Sequence, residues 1–259
     1  MLYQRDLIRM VILMDNIPLQ IAQAVAEQNG YKSPEDVKLL CCYDLFDGHH
    51  YAITDWHLWI KDRETDVKPT PVRARDKYEE ILEKYRNIFK QTDLNVVINL
   101  GDIVDDEFYE FFSKEEQIAI FDEMFGDTDC YKKYLIKGNN DHWDHEFLYE
   151  RYGWIMVDAI YCEKYILSHL PLNLQKYGLE EFTNVHGHYH GTGIYWTVPF
   201  TRHLDLWTIE RDPFKIDKCD IAEAIKDKSE DIKDVFHLGL KTKQDFINYR
   251  GIYKYDYEI

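Results

Sequence analysis

No stretch of this 259-residue chain approaches the roughly 18 consecutive apolar residues of a membrane span. No membrane association is therefore expected. Near the start, Arg5 and Arg9 precede only the short apolar run "MVILM", which does not read as a signal peptide. Cysteine is sparse and odd in number (Cys41, Cys42, Cys130, Cys162, Cys219), with no CxxC. That fits reduced thiols in the cytoplasm better than a disulfide framework. Positive charge is in deficit: 31 Lys and Arg face 48 Asp and Glu, a formal net charge of −17. Such a chain repels phosphate backbones at long range, so stable nucleic-acid binding is not expected. It can still hydrolyse a phosphate ester, because bound divalent cations invert the local field. Repeats, low-complexity tracts and clear linkers are also missing.

What is present is a well-supplied core. Hydrophobic residues make up 45% of the chain and aromatics 15%, with 20 tyrosines, which excludes a disordered chain. "IPLQIAQAVAEQNGY" predicts a helix, with Pro18 near its start and Gly30 at its C-terminal cap. "SPEDV" offers Ser33 as an N-cap with Pro34 at the first helical position. "KLLCCYDL" and "HHYAITD" predict two strands joined as a hairpin near Asp47-Gly48. Residues 61–75 predict a loop. Tyr78, Ile81, Leu82, Tyr85, Ile88 and Phe89 mark one face of a helix from Asp76 to Phe89. "LNVVINL" predicts a strand buried on both faces, and "SKEEQIAIFDEMF" a helix opened by a Ser113–Glu116 capping box. "YKKYLIKG", "WIMVDAIYC", "KYILSHL", "FTNVHG" and "HLDLWTI" predict further strands, and "CDIAEAIKD" a late helix. Strands that first alternate with helices and then follow one another predict an α/β sandwich around mixed sheets. The expected organisation is an N-terminal helical extension (1–40), a core domain (41–215) and a C-terminal extension (216–259).

Polar residues collect where the predicted strands end. They are Asp55-Trp56-His57, Gly101-Asp102-Ile103-Val104-Asp105, Gly138-Asn139-Asn140-Asp141, Ser168-His169, and His186-Gly187-His188-Tyr189-His190. Ligands of α/β sheets bind beyond the carboxyl ends of strands. Carboxylates and imidazoles suit Mn²⁺, Fe²⁺, Zn²⁺ or Ni²⁺, and one carboxylate can bridge two ions. No thiolate lies in these blocks, which argues against a structural zinc site. Each block alone is common in turns and caps. The series in this order is hard to explain as packing.

The series DWH, GDIVD, GNND, SH and GHYH resembles the calcineurin-like metallophosphoesterase superfamily, over residues 50–191. "LSHLPL" and "NVHGHYHG" are similar to small bacterial and phage members. The resemblance implies a four-layer α/β/β/α sandwich of two mixed sheets holding two divalent ions, manganese first, with iron, zinc or nickel as alternatives. Asp55, His57 and His190 would hold one ion, and Asn139, His169 and His188 the other. Asp102 would bridge them. Two ions about 3.5–4 Å apart can share a hydroxide and clamp an in-line displacement at phosphorus.

The third block departs from the family pattern Gly-Asn-His-Asp, having Asn140 where the family's acid histidine stands. An amide donates a hydrogen bond but not a proton near neutral pH. His142 is expected to have a surface or supporting role, with substitution for the acid as the alternative catalytic reading, and Asp141 would orient the loop. Asp105 is expected to accept a hydrogen bond from a ligand histidine, and His186 to line the site or pack. Trp56, Trp59 and Trp143 are expected to pack in the core or at the rim, with stacking on a base or aryl group as the alternative. The acidic run Asp105, Asp106 and Glu107 disfavours bulky polyanions.

The expected function is a metal-dependent phosphoesterase (hydrolase acting on ester bonds, EC 3.1) acting on a small or nucleotide-like phosphate ester, a diesterase more than a monoesterase. A nuclease of the same superfamily is the first alternative, and a non-catalytic scaffold on this fold the second. The sequence says nothing of the oligomeric state.

Overall fold

The computed structural model describes residues 16–42, 49–57, 83, 87, 94–126, 132–188, 203–205 and 214–215. Its strands are β1 (Leu39–Cys41), β2 (His49–Ile53), β3 (Leu94–Asn99), β4 (Lys132–Ile136), β5 (Trp154–Val157), β6 (Ala159–Cys162), β7 (Tyr165–Ser168), β8 (Thr183–His186), β9 (His203–Asp205) and β10 (Phe214–Lys215). Its helices are α1 (Asn16–Gln28), α2 (Asp106–Phe111), α3 (Lys114–Phe125) and α4 (Glu146–Arg151). The expected loop at 61–75, Trp59, most of the helix from 76 to 89, and the helix at "CDIAEAIKD" lie outside the described residues.

Two five-stranded sheets form, in the orders β10-β2-β3-β4-β5 and β1-β6-β7-β8-β9. In the first, β2, β3, β4 and β5 run parallel and β10 is antiparallel to β2. In the second, β6 and β7 are antiparallel and the other pairs parallel. Both sheets are therefore mixed, as expected.

Strand alternation sorts the apolar residues into separate cores. On β3, Val97 faces one way, and Val96 and Ile98 the other. Val97, Leu135 and Met156 pack with Phe108, Phe121, Phe125 and Leu148 from α2, α3 and α4. Val96, Ile98, Tyr134 and Ile136 meet Ile160, Leu167 and Val185 between the sheets. Ala159 and Ile166, on the outer face of the second sheet, pack with Ile21, Ala24 and Val25 of α1. Three cores separate four layers: helices, sheet, sheet, helix. Phe121 is completely buried, and truncating such a ring costs about 3–5 kcal/mol.

Local signals place several of these elements. Ser113 and Glu116 close a reciprocal capping box at the start of α3. Gly30 (φ 69°) ends α1, and the Tyr31 N–H reaches back to the Ala26 carbonyl at 2.8 Å, a Schellman closure that needs a left-handed residue. Ser33 caps a short 3₁₀ turn (Pro34–Asp36) by accepting from the Glu35 N–H.

The expected hairpin between β1 and β2 is not formed. These strands lie in different sheets, β1 beside β6 and β2 between β3 and β10. Asp-Gly marks a chain reversal, but apolar alternation on both flanks does not name the partner strand. "WIMVDAIYC" likewise splits between the sheets. The chain crosses from β5 to β6 at Asp158, which is 1% exposed.

Candidate metal centre

The parallel register aligns the carboxyl ends of β2, β3 and β4, and those of β7 and β8. Residues just past these ends form the candidate site. Asp55, His57, Asp102 and His188 all have positive φ (55°, 44°, 56° and 70°). Left-handed backbone is costly for residues with a Cβ and concentrates at functional sites. It turns the chain sharply off each strand, so consecutive side chains converge instead of alternating. The turns are tied together by the N–H of Asp55 on the Gly101 carbonyl (3.0 Å) and that of His57 on the Asp102 carbonyl (2.9 Å).

Two overlapping groups of donor atoms result: Asp55, His57 and Asp102, and Asp102, His169 and His188. Asp102 belongs to both. Its Oδ2 lies 3.4 Å from His57 Nε2 and 3.3 Å from His169 Nε2. Each histidine uses its other nitrogen to donate elsewhere: His57 Nδ1 to Asp105 Oδ1 (2.9 Å), His169 Nδ1 to the Leu100 carbonyl (2.7 Å). Metal-binding histidines are oriented in this way, with the second nitrogen on a carboxylate or carbonyl. Asn139 Oδ1 lies 2.9 Å from His169 Nε2 and 3.0 Å from His188 Nδ1, so Asn139 joins the second group. The His188 N–H donates to both oxygens of Asp55 at 3.0 Å. Asp55, Asp102 and His169 form a buried floor, His188 is half-buried, and Asn139 is exposed at the mouth.

Glycines make room for this convergence. A Cβ on Gly138 would stand 2.1 Å from Asp102 Oδ1, one on Gly187 2.4 Å from Asp55 Oδ2, and one on Gly101 (φ 106°) 2.6 Å from His169 Nδ1.

The remaining expected residues fall in different places. Asn140 points at Asp102, with its N–H on Oδ1 (3.0 Å) and its Nδ2 on Oδ2 (2.9 Å). Asp141 is fully buried and accepts the N–H groups of Asp102 (2.8 Å) and Gly138 (2.9 Å) and the Tyr149 hydroxyl (3.0 Å). It joins the second and third blocks. His142 is exposed and holds Asp106 through Nε2 at 2.7 Å. His186 is buried, with Nδ1 donating to the Gly187 carbonyl at 2.8 Å. Trp56 is 4% exposed and packs in the helix-side core, the packing reading rather than the stacking one. His190 lies outside the described residues, as do Tyr189 and Gly191.

Sequence reading missed several supports. Thr54 donates from its hydroxyl to Asp55 Oδ2 (2.7 Å). Tyr149, behind Asp141, shares a 2.6 Å hydrogen bond with the Tyr109 hydroxyl. Asn184 donates to the Ser168 hydroxyl and the Ile166 carbonyl and accepts the Leu172 N–H, fixing the strand ends beside His169. Asn184 acts between strands and Tyr149 from a helix, while Thr54 acts on its own neighbour Asp55, a pairing that a lone Thr-Asp step does not announce.

The electrostatics fit a cation site. Burial disfavours charge on Asp102, but His169, then His57, hold its carboxyl well below the usual range. Burial also opposes protonation of His169, yet the Asp102 charge raises its pKa to about 9. His57 is raised as well, against burial, by Asp105 and Asp55. Burial, then the neighbouring His169, lowers His188 to about 4. Burial and the Asp102 charge push Asp141 up to about 6. Without an ion, protons on His57 and His169 balance the buried carboxylates. Oxygen and imidazole donors in this mixture suit a divalent transition ion, and the residues present fit one.

A four-layered sandwich with carboxylate, imidazole and amide donors gathered at its strand ends defines a metallophosphoesterase-type α/β protein. The model of the calcineurin-like phosphoesterase family, Metallophos, matches residues 50–257. The chain belongs to that family and is a metal-dependent phosphoesterase. No curated protein matches it. Among solved structures it is similar to Pseudomonas putida nuclease MPE, at 18% identity and TM-score 0.38, over 54% of this chain and 61% of that one. It is also similar to AQ665 from Aquifex aeolicus, a protein of unknown function, at 18% identity and TM-score 0.38, over 64% of this chain and 95% of that one. Among the described residues, no helix is long and apolar enough to cross a membrane.

Proposed function

We propose that the chain is a phosphodiesterase with a dinuclear centre, acting on a small or nucleotide-like diester with Mn²⁺ as its ion. Asp55, His57 and His190 would hold one ion, Asn139, His169 and His188 the other, and Asp102 both. The observation that carries this reading is the position of one Asp102 oxygen, 3.4 Å from His57 Nε2 and 3.3 Å from His169 Nε2. Seated there, a pair of divalent ions supplies acidified water and neutralises charge on phosphoryl oxygens.

The chain's own residues do the rest. Asp105 and the Leu100 carbonyl fix the two imidazoles by their Nδ1 protons. Asn140 and Thr54 orient the carboxylates of Asp102 and Asp55. Asp141 holds the loop that presents Asn139. Asn140 cannot act as a general acid near neutral pH, and its amide donates to Asp102. A diester whose leaving group departs as a stable anion suits such a site better than a monoester does. The acidic rim supports a small substrate over a long polyanion. The thiols Cys41, Cys42 and Cys162 support a cytoplasmic location.

The test is to strip the protein of metal, restore Mn²⁺, and compare aryl phosphate diesters with matched monoesters. Faster diester turnover, lost by at least about a hundredfold in Asp102→Asn, is the expected result. Equal turnover of both would remove the diesterase reading. Turnover unchanged by Asp102→Asn and His188→Ala would remove the metal assignment.

A further inference from the structure

Tyr31 and Lys38 precede the family-matched residues 50–257, yet both touch Trp143, four residues after Asn139. The Tyr31 hydroxyl stands between two groups. It donates to Asp158 Oδ1 at 2.6 Å and accepts the Trp143 Nε1–H at 3.1 Å. The other Asp158 oxygen accepts the Lys38 N–H at 2.8 Å. The Lys38 ammonium lies 3.7 Å from the centre of the Trp143 ring and binds Glu146 at 2.9 Å. Trp143 is thus held on its edge by Tyr31 and on its face by Lys38.

The two ends of this network adjoin two segments of the site. Trp143 follows Asn139 by four residues, on the same loop. Asp158 precedes Ala159, whose partner across the β6–β7 ladder is Ser168, the residue before His169. Asn139 and His169 face each other at 2.9 Å, and both belong to the second donor group. Asp158 is buried, and burial raises its carboxyl pKa. Burial and the Asp158 contact raise the Tyr31 phenol as well, so it keeps its proton at any physiological pH. Asn139 itself is exposed, and its loop is tied down on one side by Asp141 and on the other by Trp143.

We infer that Tyr31 is a positioning residue for the second metal position: through Trp143 and Asp158 it fixes the Asn139 loop against the His169 strand and so sets the affinity of that position. The inference rests on the metal assignment above. Partners one layer behind the ligands commonly tune metal affinity by about 10–100-fold. Tyr31 acts one layer further out, and the low end is expected.

The experiment titrates metal-free protein with Mn²⁺ by calorimetry, for the unaltered chain and for Tyr31→Phe, which removes only the hydroxyl. The expected result is that one of two Mn²⁺ sites weakens about tenfold while the other holds. In parallel, the Mn²⁺ concentration for half-maximal phosphoesterase activity rises, and turnover at saturating Mn²⁺ stays within about twofold. Trp143→Phe, which removes the indole donor from the other side of the same hydrogen bond, gives the same shift and serves if Tyr31→Phe does not fold. Glu27→Gln, on the α1 contact with Lys176 and Tyr177, leaves Mn²⁺ affinity unchanged. Mn²⁺ affinity unaltered in both Tyr31→Phe and Trp143→Phe would overturn the inference, and so would an equal loss in Glu27→Gln. If the unaltered chain binds no Mn²⁺, the metal assignment itself fails, an outcome distinct from the other two.

Discussion

Asn140 grips Asp102 with two hydrogen bonds, its backbone N–H to Oδ1 at 3.0 Å and its side-chain amide to Oδ2 at 2.9 Å. The residue standing where a general acid would be expected thus serves the central carboxylate. Hydrogen bonds to a charged group contribute about 1.5–3 kcal/mol. Asn140→Ala is expected to lower kcat/KM by about 10-fold or more, with a matching fall in Mn²⁺ affinity by titration. Asn140→His, which puts a proton donor in the loop, is expected to help esters with poor leaving groups most. A series of aryl esters of graded leaving-group pKa would read this as a shallower dependence on leaving group. An unchanged slope would contradict it.

Gly138→Ala places a methyl 2.1 Å from Asp102 Oδ1 and 2.6 Å from the Asp102 nitrogen. Neither atom is the end of a long flexible chain, so the loop must move. A loss of about 1–3 kcal/mol in denaturant stability is expected, together with weakened Mn²⁺ binding. Stability and affinity both at the unaltered level would show that the close approach is unnecessary.

The metal-free protein should lose stability as pH rises from about 6.5 to 9. His169 carries a pKa of about 9 when folded, against 6.5 as its ordinary value. A raised folded pKa stabilises fully below the ordinary value and is lost as pH climbs through the folded one. Denaturant titrations at several pH values check this, and His169→Gln should flatten the trend. A stability that rises across the window would refute the assignment of that proton.

Ser113→Ala tests the fold away from the centre. Ser113 and Glu116 satisfy each other's backbone donors at the start of α3. Removing the cap should cost about 1 kcal/mol without altering Mn²⁺ affinity. A change in affinity would mean that α3 is coupled to the site more tightly than the contacts indicate.

Much of this centre was legible in the sequence because its donors sit in short blocks after apolar runs. Asp55, His57, Asp102, Asn139, His169 and His188 were all named by that pattern, and the structure brings them together. The capping box at Ser113 and the cap at Gly30 were legible for the same reason: both are local. What local pattern could not supply was partnership at a distance. The β1–β2 hairpin was misread because Asp-Gly specifies a turn but not a neighbour. Tyr149 carried no signal, since it reaches Asp141 and Tyr109 only once the helix packs on the sheet, and Thr54 carried none because a Thr-Asp step is commonplace. Trp56 follows Asp55 in sequence, and its neighbourhood left stacking open beside packing; the left-handed turn at Asp55 leaves it in the helix-side core.

The bond from the His188 N–H to Asp55 has a consequence for how the molecule comes into being. It joins residues 133 positions apart, one following a strand of each sheet. Such distant closures come late, because the entropy of the intervening loop must be lost first. While the chain is being made, Asp55 and Asp102 emerge long before His169 and His188. Until those arrive, the nascent protein carries a pair of carboxylates with half their partners missing. A chain halted before residue 188 would carry the Asp55, His57 and Asp102 group but lack the second group, which needs His188.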